Sequence, residues 1–263
     1  LVAFTSLPNG LPDIVTSDDT LKVTIWPGLN GTYYVGTAPA PAPAADFVDV
    51  QEAIDAVNKW GICGPVVFKI RDGVYAGAGV INAPITGGSI INRVTFEGEN
   101  GTPSTVLVNG LNGNPAITMN NVTNVTFRNV KLVSTGSTTL MLAGAPARDS
   151  FINCVITAPF GTSSSNNVGV VSGLNTTWDG NDIVFLKDSI LGSSTGIYFY
   201  ARNAATSGTG IVIDSNIFMN SYYYGATYLY NMRSLKFRGN FIQQSPTTYY
   251  HVSTHNTQTL GTN

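Results

Sequence analysis

One apolar unit recurs along this chain, and its period constrains the fold more than any other feature. An apolar residue is followed two positions later by a second, then by a small or polar turn. A third apolar residue stands five positions beyond the second. The unit reads Val125-Phe127-Leu132, then Phe151-Ile156, Val184-Leu186-Leu191, Ile211-Ile213-Phe218 and Leu235-Phe237-Ile242. Its middle members are 24, 35, 27 and 24 residues apart, and Phe96 extends the series backward by 31. A repeat of this length, with short strands broken by Asn-Gly, Gly-Asn, Ser-Ser and Thr-Gly turns, is a unit that buries its inward face only by stacking on its neighbours. The expected fold class is all-β: a right-handed parallel β-helix, a solenoid, with one N-terminal capping helix. Coils about 4.8 Å apart, seven or eight of them from Val66 to Val252, make a rod roughly 35–40 Å long. An antiparallel β-sandwich would instead show hairpins and no such period.

The single convincing helix covers 49–60. Asp46 or Asp49 can cap it, Val50, Ala53, Ile54 and Val57 follow at helical spacing, and Gly61 stops it. There it covers the otherwise open first edge of the stack. Residues 1–45 read as an irregular N-terminal segment ending in an Ala-Pro alternation that is extended and stiff. Residues 46–263 read as the β-helix domain. Leu1 and the Gly261-Thr262-Asn263 end both look cut, so a mature product or a segment of a longer parent chain with further domains is expected.

Composition narrows the class. Thr, Asn and Ser number 30, 25 and 20 against 28 charged residues, which suits polar turns and outer faces repeated from layer to layer. A net charge of -2 gives no footprint for nucleic acid. No apolar run is long enough for a membrane span. Low charge fits a secreted or cell-surface protein. Cys63 and Cys154 lie in no metal-ligand spacing, and the sequence leaves open one disulfide or two thiols.

The order Thr32–Thr37, Asp46-Phe47, Glu52–Val57 and Gly61–Tyr75, continued by Thr95-Phe-Glu-Gly98 and Asn124–Asn129, resembles the start of pectate-lyase-like β-helix domains. The likeness is to those of large secreted surface proteins of Bacteroidetes, which often leave by type IX secretion. The resemblance implies fold and export, not a reaction. Enzymes of this fold use acidic clusters with Ca²⁺ and an Arg, three Asp, or two Asp with an Arg and glutamines, gathered on one outer face.

Few residues here offer such a cluster. Asp179-Gly-Asn-Asp182 lacks the spacing of a Ca²⁺ loop and reads as a turn. Arg148-Asp149 and Arg202 stand isolated, and His251 and His255 have no acidic partner in reach. Asp188 and Asp214 are one coil apart, but the outward row Arg128, Ile152, Lys187, Asp214, Arg238 suggests a Lys187–Asp214–Arg238 ion ladder instead. No catalytic residue, metal or cofactor is assigned.

Aromatic residues carry more information. Alternation leaves Tyr198 and Tyr200, Tyr228 and Tyr230, then Tyr249 and His251 on the outer face at roughly one-coil steps, extended by Tyr222–Tyr224. This strip is the candidate ligand-binding site, for glycans or another protein surface; the alternative is that a loop or partner domain packs on it, or that cross-strand stacking stabilises the sheet. The expected function is a non-enzymatic module of a secreted or surface protein, serving as adhesin, stalk or filament component. The alternative is a polysaccharide lyase or glycoside hydrolase acting on acidic polysaccharide.

Overall fold

The computed structural model describes residues 27–37, 42–77, 79–161, 169–173, 178–201 and 208–244. It also gives the backbone of four strands at 2–4, 20–22, 253–255 and 258–259. The chain forms three parallel sheets of nine, seven and seven strands that it visits in turn, so each circuit is one coil of a parallel β-helix. Coil 1 consists of Ile62–Ile70, Gly73–Ala76 and Gly79–Asn82, and coil 7 of Arg233–Arg238, Phe241–Gln243 and Ser253–His255. Leu29–Val35 adds in parallel ahead of coil 1. Among the described residues the one antiparallel pair is Val2–Phe4 with Thr20–Lys22, so the sandwich is excluded.

Asp49 caps the helix Val50–Trp60 by accepting from the Glu52 N–H at 2.8 Å, while Glu52 accepts from the Val48 N–H at 2.7 Å. The first bond satisfies a donor that a helix start otherwise leaves unpaired, and the second holds the residue ahead of the cap against the first turn. Gly61 ends the helix at φ 64°, a region that costs glycine nothing. Val50, Ala53, Ile54, Ala56 and Val57 are buried beneath it. Asn58 ties the helix to coil 1 by donating to the Val80 carbonyl and accepting from the Asn82 N–H. Farther back, the buried Arg71 donates to the carbonyls of Gly36 and Pro43, fixing the segment before the helix.

The core is a file of residues in strict register on the first sheet: Phe68, Phe96, Phe127, Phe151, Phe185, Ile213 and Phe237. The five phenylalanines from Phe68 to Phe185 stack with centroids 4.9, 4.9, 5.9 and 5.0 Å apart. Phe185 corrects the sequence-derived unit, which placed Leu186 inside. Leu186 points outward and pairs with Asp214, and a one-residue slip of this kind exchanges the two faces of a strand.

The apolar-rich stretches Ile183–Leu191, Ile211–Phe218 and Leu235–Ile242 each bend once between two strands. At the corner from first to second sheet, Asn129, Asn153, Lys187, Ser215 and Gly239 all have φ between 52° and 62°. That left-handed residue turns the chain, so the five-residue gap in the recurring unit spans a corner rather than a strand. The residue after it points inward. Val130, Cys154, Asp188, Asn216 and Asn240 thereby fill one repeated slot.

Candidate functional site

The outer face of the third sheet carries two columns of side chains. Register places Val80, Thr118, Met141, Ser172, Tyr198 and Tyr228 in one. Asn82, Asn120 and Ala143, then Tyr200 and Tyr230, lie in the other. Every one of these residues is uncharged. Asn120 donates to Asn82 Oδ1 at 2.9 Å, so the first coils continue this face as hydrogen-bonded amides.

The tyrosines stand where alternation put them, in coils 5 and 6. Tyr200 and Tyr230 stack with centroids 4.5 Å apart and planes at 0°, and Tyr198 and Tyr228 at 4.7 Å and 4°. One face of each ring is thus used on its partner. Tyr198, however, is only 2% exposed, which removes it from any open strip. The turn 221–224 covers it. Ser194 O accepts from the N–H of Tyr223 and Tyr224, Ser193 O from that of Tyr222, and Tyr224 packs 4.5 Å from the Tyr228 ring. Burial raises the Tyr198 hydroxyl far above the ordinary phenol range, and burial with the neighbouring tyrosines also raises Tyr228. What stays partly open is Tyr200, Tyr228, Tyr230 and the Tyr222–Tyr224 turn. Tyr249, His251 and Arg202 lie outside the described residues. Backbone register sets Ser253 beside Tyr228 and His255 beside Tyr230.

The charged candidates do not converge. Asp214 meets Arg238 at 2.8 Å, and hydrogen bonds from Ser215 and Arg238 hold its carboxyl below the ordinary value. Lys187 sits at a corner outside that row, because the coil holds Leu186 in the place expected for it. A second ion row was missed: Glu97 meets Lys69 at 2.9 Å and Arg128 at 4.0 Å. Its signal was the outward position beside Phe68, Phe96 and Phe127. Asp179-Gly-Asn-Asp182 is a turn, in which Asn181 donates its amide to the Asp179 carbonyl.

Asp149 and Asp188 point inward, 0% and 1% exposed. Asp149 accepts from the Val125 N–H at 2.8 Å and occupies a column otherwise made of Val94, Val125, Ile183, Ile211 and Leu235. Burial pushes its carboxyl up to about 8, against the pull of that N–H, Arg93 and Arg148. Burial likewise pushes Asp188 up to about 8, against the N–H groups of Cys154 and Leu186. Neither carboxyl reaches solvent, so neither is placed to meet a polymer. Cys63 and Cys154 are free thiols, the first exposed and the second buried. Among the described residues, no three His, Cys, Asp or Glu side chains gather to hold a metal ion.

An open cleft of about 450 Å³ beside the helix cap is lined by Val48, Asp49, Asp72, Val74 and Tyr75 among others. Both of its carboxylates are engaged. Asp49 caps the helix, and Asp72 accepts from Asn100 at 2.9 Å.

No family model and no curated protein matches the sequence. The chain is similar to a solved pectin methylesterase variant in complex with a hexasaccharide, at 11% identity over 82% of this chain and 67% of that one, with a TM-score of 0.53. A pectin methylesterase from Aspergillus niger aligns at 12% identity over 89% of this chain and 87% of that one, with a TM-score of 0.48. A rhamnogalacturonan lyase aligns at 12% identity over 88% and 63%, with a TM-score of 0.36. At such identities the likeness shows the fold: the chain has the parallel β-helix of the first of these.

Proposed function

We propose that this chain is a polysaccharide-directed β-helix module that works outside the cell. The third sheet in coils 5 and 6 is where it meets its polymer, and the target class is acidic polysaccharide of the pectin type. One observation carries the reading: Tyr200 and Tyr230 stand in register on an uncharged outer face, beside a tyrosine-rich turn. Phenol edges and hydroxyls, set at the coil repeat, suit the alternating C–H and O–H groups of a sugar chain. Arg233 and Lys236, both exposed, follow Tyr230 around the next corner and supply cationic charge for carboxylates. The fold neighbour that holds a hexasaccharide is a pectin methylesterase, which supports the same class.

A second reading is a stalk, adhesin or filament unit of a larger surface protein, exported by the type IX route. The stack of five phenylalanines and the face-to-face tyrosines favour it, since both stiffen a rod.

The test is binding and turnover on pectin, polygalacturonate and a neutral glucan. Binding to the first two is expected, weakened on the order of tenfold by Tyr200→Ala with Tyr230→Ala, equivalent to about 1.4 kcal/mol. Release of methanol, unsaturated ends or reducing ends would make the module an enzyme. Neither binding nor turnover on an acidic polymer would sink the proposal and leave the structural reading.

A further inference from the structure

The inward corner slot repeats one hydrogen-bonding pattern from coil to coil. The Asn216 amide donates to the Phe185 carbonyl at 3.1 Å, and its Oδ1 accepts from the Asp188 N–H at 2.8 Å. The Asn240 amide donates to the Ile213 carbonyl at 2.9 Å, and its Oδ1 accepts from the Asn216 N–H at 2.9 Å. Cys154 fills the slot two coils before Asn216, with its thiol donating to the Phe127 carbonyl at 3.5 Å. Each of these residues thus donates to the core residue one coil back, and each asparagine also accepts from the slot residue one coil back.

Asp188 lies in the same file. Its Oδ1 accepts from the Cys154 N–H at 2.7 Å, as the pattern requires. Its Oδ2 is buried with no hydrogen-bond partner, in the place where the asparagines carry their donor. By register the acceptor that belongs to this place is the Phe151 carbonyl. A carboxylate there would set two acceptors against each other in a dry core, whereas a carboxylic acid completes the pattern. We propose that Asp188 stands in the ladder as the neutral acid and donates its own proton to the Phe151 carbonyl, so that the junction of coils 4 and 5 tightens in acid and loosens in base.

The surroundings agree. Facing Asp188 are the Cys154 thiol on the coil before, the Asn216 amide on the coil after and the backbone of Leu186, while the adjoining Lys187 is exposed. No cation among these groups holds the charged form. Because the folded state keeps the proton to a higher pH than the unfolded chain, the stabilisation is complete below the ordinary carboxylate value of 3.8. It is lost progressively as pH rises toward about 8. Asp149 reaches from coil 4 to coil 3 with the same sign, so both joints of coil 4 carry a proton. Coil 5 bears Tyr198 and Tyr200, which connects this joint to the face proposed for the polymer.

The experiment is urea unfolding of the wild type and Asp188→Asn from pH 4 to 9. An asparagine at 188 supplies its donor at every pH. The ratio of the two unfolding constants is expected to change on the order of tenfold per pH unit within the window, with the variant the more stable at pH 8. Parallel profiles, or a variant weaker throughout, would overturn the proposal. Should the variant not fold, carboxyl-carbon NMR on the wild type decides. A buried aspartate titrating above pH 6, with exchange of the Cys154 amide rising in step, supports it, and all aspartates titrating below pH 5 refutes it.

Discussion

A lysine held at φ 59° is a costly choice for a corner that asparagine and glycine fill elsewhere. The left-handed region costs an ordinary residue roughly 1–2 kcal/mol, more for a β-branched one, and asparagine tolerates it through local hydrogen bonds. Lys187→Asn is therefore expected to leave the urea midpoint unchanged or raise it, and Lys187→Val to lower stability by about 1–2 kcal/mol or more. Equal midpoints for the two variants would show that the corner does not demand that conformation. The same corner explains what the sequence concealed. Val184-Phe185-Leu186 is apolar at three consecutive positions, so alternation alone does not say which member faces inward. Phe185 is decided by the phenylalanine stacked before it, a contact 34 residues away. Asp149 and Asp188 were hidden for the opposite reason. Acidic residues are read as solvent-facing, and only the register of neighbouring coils reveals that these two replace an aliphatic residue and an asparagine.

The helix Val50–Trp60 was legible because everything that defines it is local: cap, apolar spacing and terminal glycine. Its cap is also its simplest test. Asp49→Ala leaves the Glu52 N–H without its acceptor and is expected to cost about 1 kcal/mol, measured by thermal or urea unfolding. No loss would mean that packing on coil 1 fixes the helix without the cap. The strands were legible as a short-strand pattern but not in their ends, because only one of the two-residue corners carries a glycine, Gly239, and none a proline to announce it. The tyrosine strip was half legible. Period-2 alternation gave the side of the sheet, yet nothing local showed that the turn 221–224 returns to bury Tyr198.

A solenoid is nearly one-dimensional: each coil rests on two neighbours, and its loss is felt most in the middle. Phe127 is 1% exposed between two stacked rings, whereas Phe237 lies near the end of the described file and is only partly buried. Phe127→Ala is expected to cost about 3–5 kcal/mol, and Phe237→Ala clearly less, by comparison of urea midpoints. Equal costs would mean that the rod unfolds as one uniform block. The fold was readable at this scale because a period survives small errors of register. The candidate site was less so, because an outer face is assembled from residues about 30 positions apart.

The lengths of the connections bear on how such a molecule can change over time. First and second sheets are joined by two residues in six of seven coils, the exception being the stretch from Gly98 to Val106. Connections into the third sheet range from one residue, between Ser193 and Thr195, to nine, between Gln243 and Ser253. Those leaving it range from two, between Tyr230 and Arg233, to eleven, between Asn82 and Val94. Only the third sheet is bordered on both sides by connections that take up added length. Insertions and deletions can thus remodel the margins of the tyrosine-bearing face while the corner ladder on the far edge keeps coils 3 to 7 in step.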